Sequence, residues 1–310
     1  MRVTLIHNPG AGQGGDGDSP AAIEAAIRAA GHELHAQSCD DPAWSAALER
    51  PADLVAILGG DGTVGRVARR LIGRGVPIAA LAAGTANNIA MTLGTEHMEL
   101  RRQIAGWSAG RRLPFDVCVA RGPWGTEHLL EGLGCGLFTW GMRTAEDASR
   151  DEPATPGERI ARVLAMLDER VGAHPSTRIE ATLDGNDVSG DYVLLEAMNT
   201  RFVGPNLFLA PDGHPGDGLI DVITVRDEDR DAFREQLASW KRGALRPPEW
   251  PARRGRRLTL QWTGFPLHLD DRLWPDADAS RGEGCTVELE VAPSALEFLV
   301  PHDTEHPPVA

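Results

Sequence analysis

The sequence predicts a doubly wound, Rossmann-like α/β domain followed by a β-rich, β-sandwich-like second domain. Three observations carry that expectation. Up to about Ala109, short apolar runs of strand length alternate with segments whose apolar residues recur at helical spacing, the pattern of a parallel sheet covered by helices. After Ala109 the spacing shortens, and most segments read as strands separated by turn residues. The length, 310 residues, exceeds what one core usually organises, so two domains are expected.

Val3–Ile6 is a first strand, ending in the turn residues His7-Asn8-Pro9-Gly10. Gly10, Gly12 and Gly15 have the spacing of a dinucleotide-binding fingerprint, but that fingerprint needs its third glycine inside the helix. Here the helix starts later, with Ser19 as N-cap and Pro20 in its first turn, and Asp16 and Asp18 intervene. That helix, Pro20–Ala30, stops at Gly31. Glu33–Gln37 is a second strand and Pro42–Leu48 a short helix. Leu54–Leu58 is apolar throughout, as a strand buried on both faces requires. It runs straight into Gly59-Gly60-Asp61-Gly62-Thr63, after which Val64, Val67, Ala68 and Leu71 follow helical spacing. These glycines stand at the carboxyl end of a strand and the amino end of a helix. Open α/β sheets bind ligands there, and main-chain N–H groups favour an anion. A plain turn also uses Gly and Asp; three glycines around one Asp, followed by Thr, exceed its needs. Pro77–Leu81 repeats the arrangement, running into Gly84-Thr85-Ala86-Asn87-Asn88 and a helix to Leu93.

The second domain is expected to contain strands at Leu113–Ala120, Glu127–Leu133, Arg178–Leu183, Tyr192–Met198, Leu219–Val225, Arg257–Trp262, Leu267–Leu269 and Thr286–Val291. Asp184-Gly185-Asn186 is a hairpin signal. Two helices interrupt, near Glu158–Val171 and Arg230–Lys241. Asp147–Pro156 reads as a mobile loop, Leu296–Val300 as a last strand and Thr304–Ala310 as a frayed tail.

Composition excludes several classes. A net charge of −14 argues against a general nucleic-acid or anionic-membrane binder. The chain has one lysine, Lys241 in Trp-Lys-Arg-Gly, so it has no P-loop and no placed Lys for protein-kinase or Schiff-base chemistry. Phosphate chemistry must rely on backbone amides, Arg and metal. Cys39, Cys118, Cys135 and Cys285 are scattered, as buried thiols of a reducing cytosol would be. The amino terminus is a strand entering a turn and is not expected to be a signal peptide; no apolar run is long enough to span a membrane.

The Gly-Gly-Asp-Gly-Thr stretch resembles the motif shared by diacylglycerol kinases, sphingosine-kinase-like enzymes and NAD kinases. Asn8-Pro9-x-x-Gly12 resembles the opening loop of lipid kinases, and Gly84-Thr85-Ala86-Asn87-Asn88 their second loop, with Ala82 and Asn88 where the family has Pro and Asp. Pro114-Phe115-Asp116, Asn199 with Gly204 and Ala210-Pro211, and Asp217-Gly218-Leu219-Ile220-Asp221-Val222 resemble later family segments in order. The resemblance implies a nucleotide-binding domain over 1–112 to which 294–310 return, and a lipid-substrate domain over 113–293. It implies ATP in the cleft between them, bound at Asn8, Pro9, Gly12, Gly59, Gly60, Asp61, Gly62, Thr63, Gly84, Thr85 and Asn87, with the phosphates on the backbone amides of 59–63 and of the Gly84-Thr85 loop and Mg²⁺ near Asp61. A structural Mg²⁺ would sit on Asp217 and the Leu219 carbonyl, and a hard cation does want oxygen ligands.

Departures from the family lie at Gly65-Arg66, where Asn-Glu is usual, at Asn88, and at Asp270-Asp271-Arg272, where the family has Asp-Gly-Glu with Glu as proton acceptor. Asp270, Asp271 and Asp116 remain as candidate catalytic carboxylates. The expected function is an ATP-dependent lipid kinase, diacylglycerol- or sphingoid-like. Its expected partners are a lipid substrate, weak peripheral contact with a membrane, no nucleic acid, and a second copy in a homodimer; its expected place is the cytoplasm. The rivals are NAD kinase, whose usual Asn-Glu pair is missing, and a catalytically weakened nucleotide-binding or regulatory protein, suggested by the lost carboxylates.

Overall fold

The computed structural model describes residues 1–11, 18–148, 155–244, 246–248, 252–275 and 284–304. The chain forms two compact units, 1–116 with 293–310, and 117–292.

Unit 1 contains β1 (Arg2–His7), α1 (Pro20–Ala29), β2 (Glu33–Ser38), β3 (Leu54–Gly59), α2 (Asp61–Ala68), β4 (Ile78–Ala82), α3 (Asn88–Leu93) and α4 (Leu100–Gly106). The segment expected as a helix at Pro42–Leu48 is a 3-10 turn over Trp44–Glu49. Ser19 caps α1 through its hydroxyl, accepting from the Ala22 N–H at 3.3 Å. Strands run in parallel in the order β2-β1-β3-β4. Every β3 residue is buried, as its unbroken apolar run requires. The last strand of the chain, Cys285–Val300, adds Phe298 in parallel beside Ile78 of β4. The Phe298 and Phe115 rings pack tilted at 54°, with centroids 4.8 Å apart.

The chain leaves unit 1 through β5 (Arg111–Gly122), and unit 2 continues with β6 (Gly125–Leu129), β7 (Gly132–Gly136), α5 (Leu137–Ala148), α6 (Pro156–Val171), β8 (Thr177–Leu183), β9 (Asn186–Asp187), β10 (Gly190–Met198), β11 (Phe202–Val203), β12 (Leu207–Phe208), β13 (Ile220–Arg226), α7 (Arg230–Lys241), β14 (Arg253–Gly255), β15 (Arg257–Trp262), β16 (Leu267–Leu269), β17 (Arg272–Trp274) and β18, the last strand Cys285–Val300. Pairing is antiparallel throughout the unit, and β10 is its hub. Residues 190–192 of β10 pair with β8, 194–198 pair with β7, and its other edge takes β13. One core lies among β7, β8, β10, β15 and β16 around Trp262. A second lies under α5, α6 and α7, around Phe233 and Leu167.

Three further expectations need correction. Glu127–Leu133 is two strands, β6 and β7, broken at Leu130–Glu131. Helix α5 was unforeseen and covers residues 147–148 of the expected loop; Thr155 and Glu158 form a capping box that opens α6, and 149–154 lie outside the described residues. The runs 286–291 and 296–300 are one continuous strand, because Pro293 is tolerated at its position. The tail from 305 onward lies outside the described residues. The Asp184-Gly185 hairpin is as expected, with φ of 50° and 81° at its two central residues.

Candidate nucleotide site and the carboxylates of unit 2

The order β2-β1-β3-β4 reverses direction at β1: the chain moves outward to β2, then returns to the other side of β1 for β3. The loops after β1 and β3 therefore diverge at a topological switch point, where open α/β sheets leave a crevice. Asn8–Ala11 follows β1, and the Asn8 N–H donates to the Leu58 carbonyl at 2.9 Å. The Asn8 side chain accepts the Gly10 N–H at 2.9 Å, so it shapes its own turn. Pro9 is exposed in that turn, and Gly12 lies outside the described residues.

Strand β3 passes into α2 with Gly60 as the N-cap residue. Asp61, Gly62 and Thr63 are already the first turn of α2, so the stretch read as a loop is a strand–helix junction. Glycine at the cap offers no side-chain acceptor; the Thr63 and Val64 N–H groups bond the Gly60 carbonyl at 3.0 Å, and the positive end of the helix dipole favours an anion there. A Cβ on Gly59 would meet the Thr63 side chain at 2.8 Å. Gly60 and Gly84 meet backbone to backbone: a Cβ on Gly84 would lie 2.3 Å from the Gly60 Cα. These two glycines thus serve the close approach of the two loops to each other. Asn87, at φ 59°, accepts the Gly84 N–H at 2.9 Å and donates to its carbonyl at 3.3 Å, so its amide closes the Gly84–Asn87 loop around Thr85.

Asp61 bridges the two loops. Its carboxylate oxygens accept the N–H groups of Asn88 and Ile89, each at 3.0 Å, capping α3. Burial pushes its pKa up against these bonds. Each oxygen has a backbone partner, so Asp61 joins the two loops. Asp116 is 0% exposed and accepts the Ser294 N–H at 2.7 Å, fixing the start of the return segment.

In unit 2, β16 keeps the expected bounds Leu267–Leu269. Asp270 and Asp271 are the two-residue turn between β16 and β17. Asp270, at φ 50°, accepts the N–H groups of Leu130, Glu131 and Gly132 at 3.0, 2.9 and 3.1 Å. It ties the β6–β7 connection to the hairpin, which is a structural duty. Asp271 is exposed at the tip. The departures are explained locally. Arg66 donates to the Cys39 carbonyl at 2.8 Å and lies over Trp44, and Arg272 pairs with Glu127 at 3.0 Å.

The Asp217–Leu219 segment does not fit a structural Mg²⁺. Asp217 accepts the Leu219 N–H at 2.9 Å, and its other oxygen accepts from the Arg254 guanidinium. No group of three or more His, Cys, Asp or Glu residues is set to hold a metal among the described residues.

The sequence reading missed a buried Glu–His pair. Glu196 of β10 and His268 of β16 meet at 2.8 Å, at 0% and 2% exposure. Its signal was a single acid inside Leu194–Met198 and a single His inside Leu267–Leu269. Gly134 makes room for it: a Cβ there would lie 2.2 Å from the Glu196 carboxyl carbon. His268 also bonds the Asp270 carbonyl at 3.1 Å.

Comparison with known proteins agrees with both units. Residues 2–120 match the diacylglycerol kinase catalytic domain, and 154–300 the YegS C-terminal NAD kinase beta sandwich-like domain. The chain is 23% identical over 263 residues to a diacylglycerol kinase of Mycobacterium tuberculosis, covering 83% of this chain and 80% of that one. It is 25% identical over 234 residues to the Bacillus subtilis diacylglycerol kinase, covering 73% and 74%. The crystal structure of a diacylglycerol kinase from Bacillus anthracis superposes with TM-score 0.71 at 19% identity, over 97% of each chain. Yeast NADH kinase in complex with NADH reaches 0.53 at 11% identity, over 99% of this chain and 85% of that one, a likeness of fold alone. With an α/β unit and a sandwich-like unit matched in chain order by the two models, the chain belongs to the diacylglycerol kinase-like family, kinases that transfer phosphate to an alcohol.

Proposed function

We propose that the protein is an ATP-dependent lipid kinase whose unit 1 binds the nucleotide phosphates and whose acceptor is a lipid hydroxyl of the diacylglycerol or sphingoid kind. The observation that carries the nucleotide half is the switch point at β1 and β3, which puts the uncapped amino end of α2 beside the turn after β1. Phosphoryl transfer needs positioning and charge neutralisation more than covalent chemistry, so main-chain N–H groups with the Mg²⁺ that accompanies ATP suit the task. Gly60 and Gly84 keep the β3 and β4 loops in register, and Asp61 locks them. The lipid half is supported by the relatives, which are named diacylglycerol kinases.

The test is transfer of labelled γ-phosphate from ATP to a panel of diacylglycerols, sphingoid bases and NAD. A labelled lipid is the expected product. Labelled NADP would replace the reading with NAD kinase; ATP binding without any transfer would favour the nucleotide-binding regulator.

A further inference from the structure

The carboxylates of Asp217 and Asp221 converge on one guanidinium. The β13–β14 register sets Arg254 directly opposite Asp221. From there its Nε lies 3.2 Å from Asp221 Oδ1, while its Nη2 bonds Asp217 Oδ2. Asp217 is aimed by its own turn, through the Leu219 N–H and Gly218 at φ 76°. Asp221 is 2% exposed, and Asp212 adds a third negative charge within range of it. Arg201, bonded to the Pro211 carbonyl, faces Asp212. A buried acid beside two others either keeps its proton or takes a cation partner, and Asp221 has a guanidinium 3.2 Å away. An arginine fork can serve two carboxylates at once.

We propose that Arg254 is the resident cation of this loop, standing in place of the divalent metal that family resemblance implies, so that unit 2 keeps its Asp217–Asp221 turn without Mg²⁺. The assignment is independent of the acceptor and of the nucleotide site. It has a converse: with the guanidinium gone, the carboxylates of Asp217 and Asp221 face each other as oxygen donors, the ligand type that a hard cation takes.

Thermal melts without nucleotide, in EDTA and in millimolar MgCl₂ at matched ionic strength, test both halves. The parent protein should melt at the same temperature in both. Arg254→Met keeps the apolar stem but removes the charge; it should melt several degrees lower in EDTA and recover most of that loss in Mg²⁺. Adding Asp217→Asn to that variant should abolish the recovery. A parent melt that falls in EDTA and loses its Mg²⁺ response on Asp217→Asn would overturn the proposal. So would an Arg254→Met protein indifferent to Mg²⁺. If Arg254→Met is recovered folded only when purified with Mg²⁺, the proposal stands; if it is not recovered under either condition, it fails.

Discussion

Gly84 shows how much a single missing side chain can decide. Its Cβ would fall 2.3 Å from the Gly60 Cα, a clash with backbone that no rotamer relieves. Gly84→Ala should part the two loops, destabilise unit 1 by about 1–3 kcal/mol, as overpacking does, and weaken ATP binding with it. Calorimetric ATP binding and denaturant melts read the two effects; unchanged affinity in a folded variant would place the phosphates elsewhere. Gly60→Val meets the same backbone at 3.0 Å, so its loss of ATP binding would come with loss of stability. At the other end of the chemistry, Asp270 accepts three N–H bonds and Asp271 is exposed. Asp270→Asn should cost about 1.5–3 kcal/mol, the worth of hydrogen bonds to a charged group, whereas Asp271→Asn should leave stability within about 0.5 kcal/mol of the parent. Should turnover fall only with Asp271→Asn, the exposed residue is the one that meets the acceptor. The sequence placed Gly60, Gly84 and Asp61 together because a motif keeps its neighbours. It could not tell how Asp270 and Asp271 would point, because a strand that continues and a strand that turns differ only in a φ, here 50° at Asp270, that an Asp tolerates.

Elements were legible where periodicity was strong, as in β3 and α6, and lost where glycine hides it. Strand β7 is Gly-Leu-Gly-Cys-Gly, a composition depleted in strands, yet β10 and β16 hold it from both edges. Its glycines exist for what faces them, and Gly134 faces Glu196. Helix α5 starts directly after Gly136 and was obscured by the same run. The β10–β16 pair that β7 accommodates gives a pH signature. Burial presses the His268 pKa down, but the Glu196 carboxylate and the Asp270 carbonyl outweigh it, and the net displacement is upward. A raised folded pKa means that the pair's stabilisation is complete below the unfolded value of 6.5 and fades as pH climbs through the folded one. Melting temperature should therefore fall on the alkaline side of 6.5, and Glu196→Gln should flatten that slope. A parent profile with no such fall would mean that the imidazole is neutral throughout. Removing either partner outright should cost about 3–5 kcal/mol, because it strands a buried charge.

At the scale of the whole molecule, no helix is long and apolar enough to cross a membrane among the described residues. For the proposed lipid acceptor, the net charge of −14 opposes contact with anionic bilayers. Sedimentation with vesicles should show weak binding to neutral lipid and weaker binding to anionic lipid at low salt; strong, salt-resistant capture by anionic vesicles would contradict it. The two-unit organisation was visible in the sequence as a change of spacing near Ala109, a coarse signal that survives local misreadings.

Unit 1 takes its β4-flanking strand from residues at the far end of the chain, with Phe298 beside Ile78 and Ser294 held by Asp116. During synthesis the first 116 residues leave the ribosome long before that strand exists. Until it arrives, β4 presents an unpaired, wholly apolar edge, the kind of template that recruits foreign strands. The nascent protein must therefore wait through all of unit 2 before the β4 edge gains its partner strand. A chain interrupted after Ala292 would carry every loop of the candidate nucleotide site and still be aggregation-prone.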